Sequence, residues 1–310
     1  QIVPAAVRSL PKALKTYAPD GAWPEGPAYW GYATAYTAYG LSAMQTALGT
    51  DFGLSRTPGL SEAGHFPIHM AGPTGLYLNY ADSGDNARRR AMAAMMWLGR
   101  TFDNSAYLAA EHAALAEGGA TVWHAIWYAP PPEAPPTAEL DRRFRGPVES
   151  AVFRSAWGDP DAVFVGVKAG FNQVAHGHLD LGTFEMDALG VRWARDLGSD
   201  DYNLPDYWDG KPGGKRWTYY RLASASHSVP LLDGADQDHA AAAKLLKFRS
   251  APKEGCAVID LTEQRRAEAL TRATQERLQA SARLASVGEM VSMMSHELNQ
   301  PLAVIASYAN

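Results

Sequence analysis

The stretch HGHLDLGTFEMDALGVRWARD, from His176 to Asp196, decides how the chain is read. Alternate residues on an extended strand share one face, so His176, His178 and Asp180 are expected to point the same way. Two imidazoles and a carboxylate at that spacing suit a metal or acid–base cluster, and equally a hydrogen-bonded polar patch on an exposed strand. Residues 182–187 and 191–196 read as strands. Upstream, VFRSAW at 152–157 and AVFVGV at 162–167 are β-rich and flank the turn residues Gly158-Asp159-Pro160-Asp161. Strands are also expected at 227–232 and 256–261. The turn signals between these runs point to a stack of antiparallel sheets.

Outward from this region the grammar changes twice. Residues 1–129 lack strand alternation and carry helix-like apolar spacing broken by Gly and Pro, as in 29–48 and 87–102. The triple Arg88, Arg89, Arg90 is expected on a solvated face. His65 and His69 stand four apart, but Pro67 between them argues against a regular helix and for loop or packing roles. The run Pro130-Pro131-Pro132-Glu133-Ala134-Pro135-Pro136 favours an extended linker. Beyond Gln264 the chain is rich in Ala, Glu, Arg and Leu. There Leu284, Val287, Val291, Met294, Leu298, Leu302 and Ile305 follow spacings of three and four, the mark of a helix–helix seam. The boundaries expected are 1–129 helical, 130–147 linker, 148–263 sheet and 264–310 one long helix.

Composition narrows the function. The 310 residues are 46% hydrophobic and 20% charged, as in a soluble globular protein. A net charge of −5 gives no basic footprint for nucleic acid, and an acidic polysaccharide would need a local cationic cleft. Nine Trp and 14 Tyr cluster, which suits a sugar-lined groove and nearly as well a core. The single cysteine, Cys256, excludes an internal disulfide and a Cys-rich zinc module. The longest apolar run, 91–98, falls far short of the roughly 20 residues of a membrane span. The chain opens at Gln1 and stops at Asn310 inside a helical pattern, so both ends are read as cut.

The string from His176 to Trp208, with YYRLASASHSVPLLDG at 219–234, resembles the sheet domain of heparinase II/III-like polysaccharide lyases, a group that includes alginate lyases. The resemblance implies an α+β multidomain fold: a partial α/α toroid, then a partial antiparallel β-sandwich. It implies zinc, structural in role, on His178, Asp196 and His227. Ser228 departs from the family's Asn after the last His, a change expected to touch the bonding around the ligand rather than ligation itself. PDGAWPEGPAYWGYATAY (19–36) resembles the helical domain, where a tyrosine near such a motif acts in catalysis; Tyr32 is the first choice and Tyr29 the second. Ring packing within the helical core is the other reading of these tyrosines. β-Elimination of a 4-linked uronate needs its carboxylate neutralised, the C5 proton removed and O4 protonated. A phenol with pKa near 10 can do the last, or both proton transfers if a cation lowers it. The family's carboxylate-neutralising motif lies on an earlier helix, and no counterpart is found here. His176, Tyr207, Arg216 and Tyr220 are candidates for binding an acidic polysaccharide or oligosaccharide, with Lys211, Lys215, Arg221 and Tyr219 nearby; a solvated loop is the equal alternative for those between Asp196 and His227.

SHELNQPL at 295–302 resembles the phosphoacceptor box of sensor histidine kinases, and LASVGEM at 284–290 the start of their dimerisation helix. That resemblance makes His296 the phosphoacceptor, with Glu297 the neighbouring base, and lets the tail pair with a second copy. No ATP-binding segment follows, so the chain is not expected to phosphorylate itself. AVIDLTE at 257–263 resembles both a late lyase strand and the end of a PAS sensor domain, which suggests a splice of two fragments. The two resemblances imply different compartments: periplasmic or secreted for the lyase part, cytoplasmic for the kinase part. The lead expectation is a uronate-polysaccharide lyase, incomplete or chimeric. A sugar-sensing signal protein and a zinc-stabilised carbohydrate-binding module are the alternatives.

Overall fold

The computed structural model describes residues 2–134, 139–231, 234–262 and 273–279. The chain divides into two compact units, Gln1–Gln264 and Arg265–Asn310. The first opens with helices α1 (Ile2–Leu14), α2 (Pro27–Leu48), α3 (His65–Met70), α4 (Ala93–Thr101), α5 (Ser105–Ala116) and α6 (Val122–Ile126). Strands β1 (Arg142–Phe144), β2 (Ser150–Arg154), β3 (Phe164–Lys168), β4 (Gly170–Phe171), β5 (Phe184–Ala188), β6 (Val191–Ala194), β7 (Ala242–Ala251) and β8 (Glu254–Asp260) follow. All pairings are antiparallel, in a sheet ordered β1-β2-β3-β5-β6 and a second ordered β4-β7-β8. A helical region followed by antiparallel sheets is thus the architecture of the first unit.

Local chemistry explains most element ends. Pro27 fills the first turn of α2, where its missing N–H is no loss, and Gly49 closes that helix in the left-handed region at φ 70°. The Asn104 side chain accepts from the amides of Ala106 and Tyr107 and so starts α5. Leu189 and Gly190, both at positive φ, form the two-residue turn of the β5–β6 hairpin. The main core joins helices to sheet through Trp30, Phe66, Tyr80, Tyr107, Phe144 and Phe164, and a smaller one packs Ala151, Leu181 and Leu245 between the sheets. Several rings that suit a sugar groove on composition, Trp30, Tyr17 and Tyr107 among them, are therefore core.

Several expectations are corrected. Residues 172–183 form a loop, not a strand: His176 sits at φ 57°, and a Cβ on Gly177 would meet the carbonyl oxygen of Asn172 at 2.3 Å. Asp180 accordingly leaves the histidine face and forms a buried ion pair with Lys168. Residues 227–231 are not a strand either, and β7 arises from an Ala-, Lys- and Leu-containing run that sequence alone did not mark. Strand β1 occupies part of the expected linker, where Arg142–Phe144 pairs with β2. Pro67 lies inside α3, in its first turn, where the helix has no use for its N–H. Arg89 is not a solvated charge; it donates to the Ala110 carbonyl and lies 3.6 Å from the buried Glu111. The second of the expected early helices begins at Ala93 rather than residue 87.

Candidate metal centre and active site

The site is assembled around Asp82, which sits in the short 3-10 turn Ala81–Ser83. Ser83 Oγ in that turn accepts the Ala28 amide at 3.0 Å, which pins the start of α2 beside it. The Asp82 carboxylate grips two imidazoles of the 172–183 loop: Oδ2 takes His176 Nδ1 at 2.7 Å, and Oδ1 takes His178 Nε2 at 2.8 Å. Arg216 stands 3.6 Å away, and the Tyr207 hydroxyl donates to Oδ1 at 3.4 Å. Burial alone would raise the Asp82 carboxyl, but these two histidine bonds and the Arg216 charge hold it well below the usual range. A carboxylate only accepts, so each imidazole must present its N–H to Asp82. That fixes both tautomers, with a lone pair left on His176 Nε2 and on His178 Nδ1.

His178, Asp196 and His227 converge behind this clamp. All three are buried, and one ligand atom from each lies within 4.8 Å of the others. Asp196 follows β6, and its Oδ2 accepts from His227 Nδ1 at 2.6 Å. Its Oδ1 takes the Gly198 amide at 2.8 Å, and its own amide donates to buried Glu185. Among the described residues, His178 Nδ1 and His227 Nε2 are buried without a hydrogen-bond partner. An orphaned buried nitrogen is costly, and a cation shared by the two resolves both at once. Each ring is held through its other nitrogen by a carboxylate, the arrangement that orients metal-ligating histidines. Burial lowers the pKa of His178, with the His227 charge adding to that, and keeps its ring neutral against the pull of Asp82. For His227 burial also lowers the pKa, but the Asp196 charge and hydrogen bond outweigh it and raise the value. The same pair holds Asp196 low despite burial. This group can hold a metal ion.

On the solvent side of Asp82, Tyr29 from the first turns of α2 stacks on His176, with ring centroids 4.6 Å apart, and its hydroxyl bonds the Tyr202 hydroxyl at 2.9 Å. Trp208 meets the His176 ring edge-on at 5.4 Å. Tyr32 is directed elsewhere; it is 65% exposed and packs on Tyr36. Tyr207 and Arg216 are buried and brace Asp82 and the Gly177 carbonyl from behind, so neither offers a face to a sugar; Tyr220 is exposed. Burial and the Asp82 charge push the Tyr207 phenol up to about 12. His296 and Glu297 lie outside the described residues. Sequence reading missed Asp82, Tyr202 and Trp208. Asp82 is 94 and 96 residues from its two histidines, and no local spacing could have linked them.

Residues 152–284 match the family model described as Heparinase II/III-like, C-terminal. That region is a heparinase II/III-like C-terminal domain. The fold of the larger unit is like that of part of heparinase III. The chain superposes on a crystal structure of heparinase III with a TM-score of 0.61 and 15% identity, over 82% of this chain and 38% of that one. For a mutant of the heparan sulfate lyase HepC from Pedobacter heparinus the values are 0.58, 19%, 82% and 36%. The chain thus spans well under half the length of these structural relatives. A short segment matches sensor kinases. It is 56% identical over 52 residues to the C4-dicarboxylate transport sensor protein DctS of Rhodobacter capsulatus, covering 17% of this chain and 8% of that protein. It is 47% identical over 51 residues to the sensor protein FixL of Bradyrhizobium diazoefficiens, covering 16% and 10%. No helix among the described residues is long and apolar enough to cross a membrane.

Proposed function

We propose that the larger unit is a polysaccharide lyase that cleaves a 4-linked uronate glycan, of the heparan sulfate type suggested by its structural relatives, through β-elimination. In this reading α1–α6 are part of an α/α toroid, the two sheets are part of a β-sandwich, and the acidic chain lies over His176. The observation that carries it is Asp82, whose two oxygens join a buried ligand set to a stacked tyrosine–histidine pair at the surface. Removal of the C5 proton breaks C5–H, its electron pair forms the C4=C5 double bond, and the C4–O4 bond breaks as O4 takes a proton. His176 Nε2, free because Nδ1 is committed to Asp82, can receive the C5 proton. The Tyr29 phenol can deliver one to O4. Burial raises the Tyr202 phenol, as do its bond to Tyr29 and the Asp82 charge, so Tyr202 stays protonated and can donate to Tyr29.

Zinc suits His178, Asp196 and His227, because two imidazoles and one carboxylate are a borderline-soft donor set. It would supply a structural tie between the loop at 172–183 and the segment at 196–227 and thereby hold Asp82 in place through His178. The test is a rise in the ultraviolet absorbance of unsaturated uronate when the full chain meets heparan sulfate, with alginate in parallel. No rise on any uronate glycan, with the metal site filled, would remove the lyase reading.

A second reading concerns the other unit and rests on the 56% identity to DctS. The segment at 264–310, of which only 273–279 lie among the described residues, is read as carrying the phosphoacceptor, with His296 taking the phosphoryl group and Glu297 assisting. Radiolabelled phosphate should pass to the chain from a sensor-kinase ATP-binding domain and be lost in His296→Gln. Equal labelling of the variant would sink it.

A further inference from the structure

The loop at 172–183 carries both His176 and His178 and is neither helix nor strand. Ordering such a loop costs conformational entropy at each residue, and bonds to fixed groups must offset it. Its inner side is bonded to one later segment, 222–241. Gln237, buried, treats Leu181 as a paired strand would. Its Oε1 accepts the Leu181 amide at 2.8 Å, and its Nε2 donates to the Leu181 carbonyl at 2.9 Å. The amide needs an acceptor and the carbonyl a donor, so the side chain fits in one orientation. Oε1 also accepts from Asn172 Nδ2 at 3.2 Å, which brings in the start of the loop.

Ser224 continues the tie. Its buried hydroxyl donates to the Leu179 carbonyl at 2.7 Å and accepts the Gln237 amide at 2.9 Å. Leu179 gives its own amide to the Leu222 carbonyl at 3.0 Å. Leu179 directly follows His178, and Ser224 lies just ahead of His227. One hydroxyl and one amide side chain therefore set how far the two imidazoles stand apart. Asp196 is fixed separately, through its amide on Glu185. None of these bonds uses an imidazole nitrogen or carboxylate oxygen of the ligand set, so they need no ion to form.

We infer that Gln237, acting through Ser224, is a positioning residue that presets the spacing of His178 and His227, so that a metal ion enters a site already formed. The role rests on the zinc reading of that site. An ion entering a preset site does not have to order the loop, so loss of the tie should appear as loss of affinity.

The test measures zinc affinity of the full chain by competition with a chromophoric chelator. Hydrogen exchange over 177–183 is followed beside it, metal-free and zinc-loaded. In the native protein this segment should exchange slowly in both states. Gln237→Met keeps the side-chain length and removes its bonds to Leu181; Ser224→Ala removes the hydroxyl with less disturbance. Each should weaken zinc binding by about tenfold or more, shift the visible bands of the cobalt-substituted protein and speed exchange at 177–183. Met96→Ala, in the core of the helical region, should lower the melting temperature and leave affinity and cobalt bands native. Gln237 and Ser224 variants that melt lower but keep native zinc affinity and cobalt bands would overturn the positioning role. So would fast exchange in the metal-free native protein that zinc alone slows, because the ion would then form the site. A native chain that binds no zinc would remove the zinc reading, and the positioning role with it.

Discussion

A chelator should strip one tightly held metal from the native protein and lower its melting temperature by about 10 °C, and His227→Ala should do the same without a chelator. His178, Asp196 and His227 are enclosed, and two of their nitrogens have no protein partner. The ligands come from distant parts of the sequence: a loop before β5, the exit of β6, and the end of the turn Ser224–Ser226. A cation among them cross-links segments that carry little regular structure. Structural zinc can contribute on the order of 10 kcal/mol to the folding of small domains. Here the surrounding core supplies much of the stability, so a loss of about 4 kcal/mol is expected, which for a unit of this size is about 10 °C. His178→Ala should cost about as much as His227→Ala, because each ring also satisfies one oxygen of a buried carboxylate, Asp82 for His178 and Asp196 for His227. Metal content by mass spectrometry and calorimetric melting check both. A protein purified without metal, whose melting no chelator or added zinc changes, would remove the cross-link.

The ligand set was legible in the sequence only through resemblance. His178, Asp196 and His227 share no local spacing, and the one local pattern present, alternation in HGHLD, pointed to a strand. Gly177 and the left-handed His176 turn that stretch into a loop, and a period of two cannot reveal positive φ. The β5–β6 hairpin was readable because its strands alternate around a turn with its own chemistry, Leu189-Gly190. Strand β7 was not, since Ala, Lys and Leu favour helix and only pairing with β8 and β4 makes them extended. Asp82 was hidden for a different reason: its role depends on tertiary approach alone. Tyr29 and Tyr32 meet the same limit. Both stand on α2 one turn apart, and tertiary packing, including the Ala28 amide on Ser83, puts the earlier ring against His176.

Tyr29→Phe should lower the turnover of a uronate oligosaccharide by about 10²–10⁴-fold with little change in KM, while Tyr32→Phe stays within about twofold of the native rate. Phenylalanine keeps the ring that stacks on His176, so the melting temperature should hold and only the hydroxyl is lost. In the proposed β-elimination that hydroxyl delivers the proton to O4, and its bond to Tyr202 holds it in place. His176→Ala should cost as much or more, because the free Nε2 disappears. It also leaves Asp82 Oδ2 without its partner, so a modest fall in melting temperature should accompany it. His176→Gln separates the two effects: an amide can still donate to Asp82 but cannot act as a base near neutral pH, so stability should recover and turnover should not. A Tyr29→Phe enzyme with native turnover, beside an inactive Tyr32→Phe, would move the chemistry one turn along α2, away from Asp82 and the ligand set it is joined to.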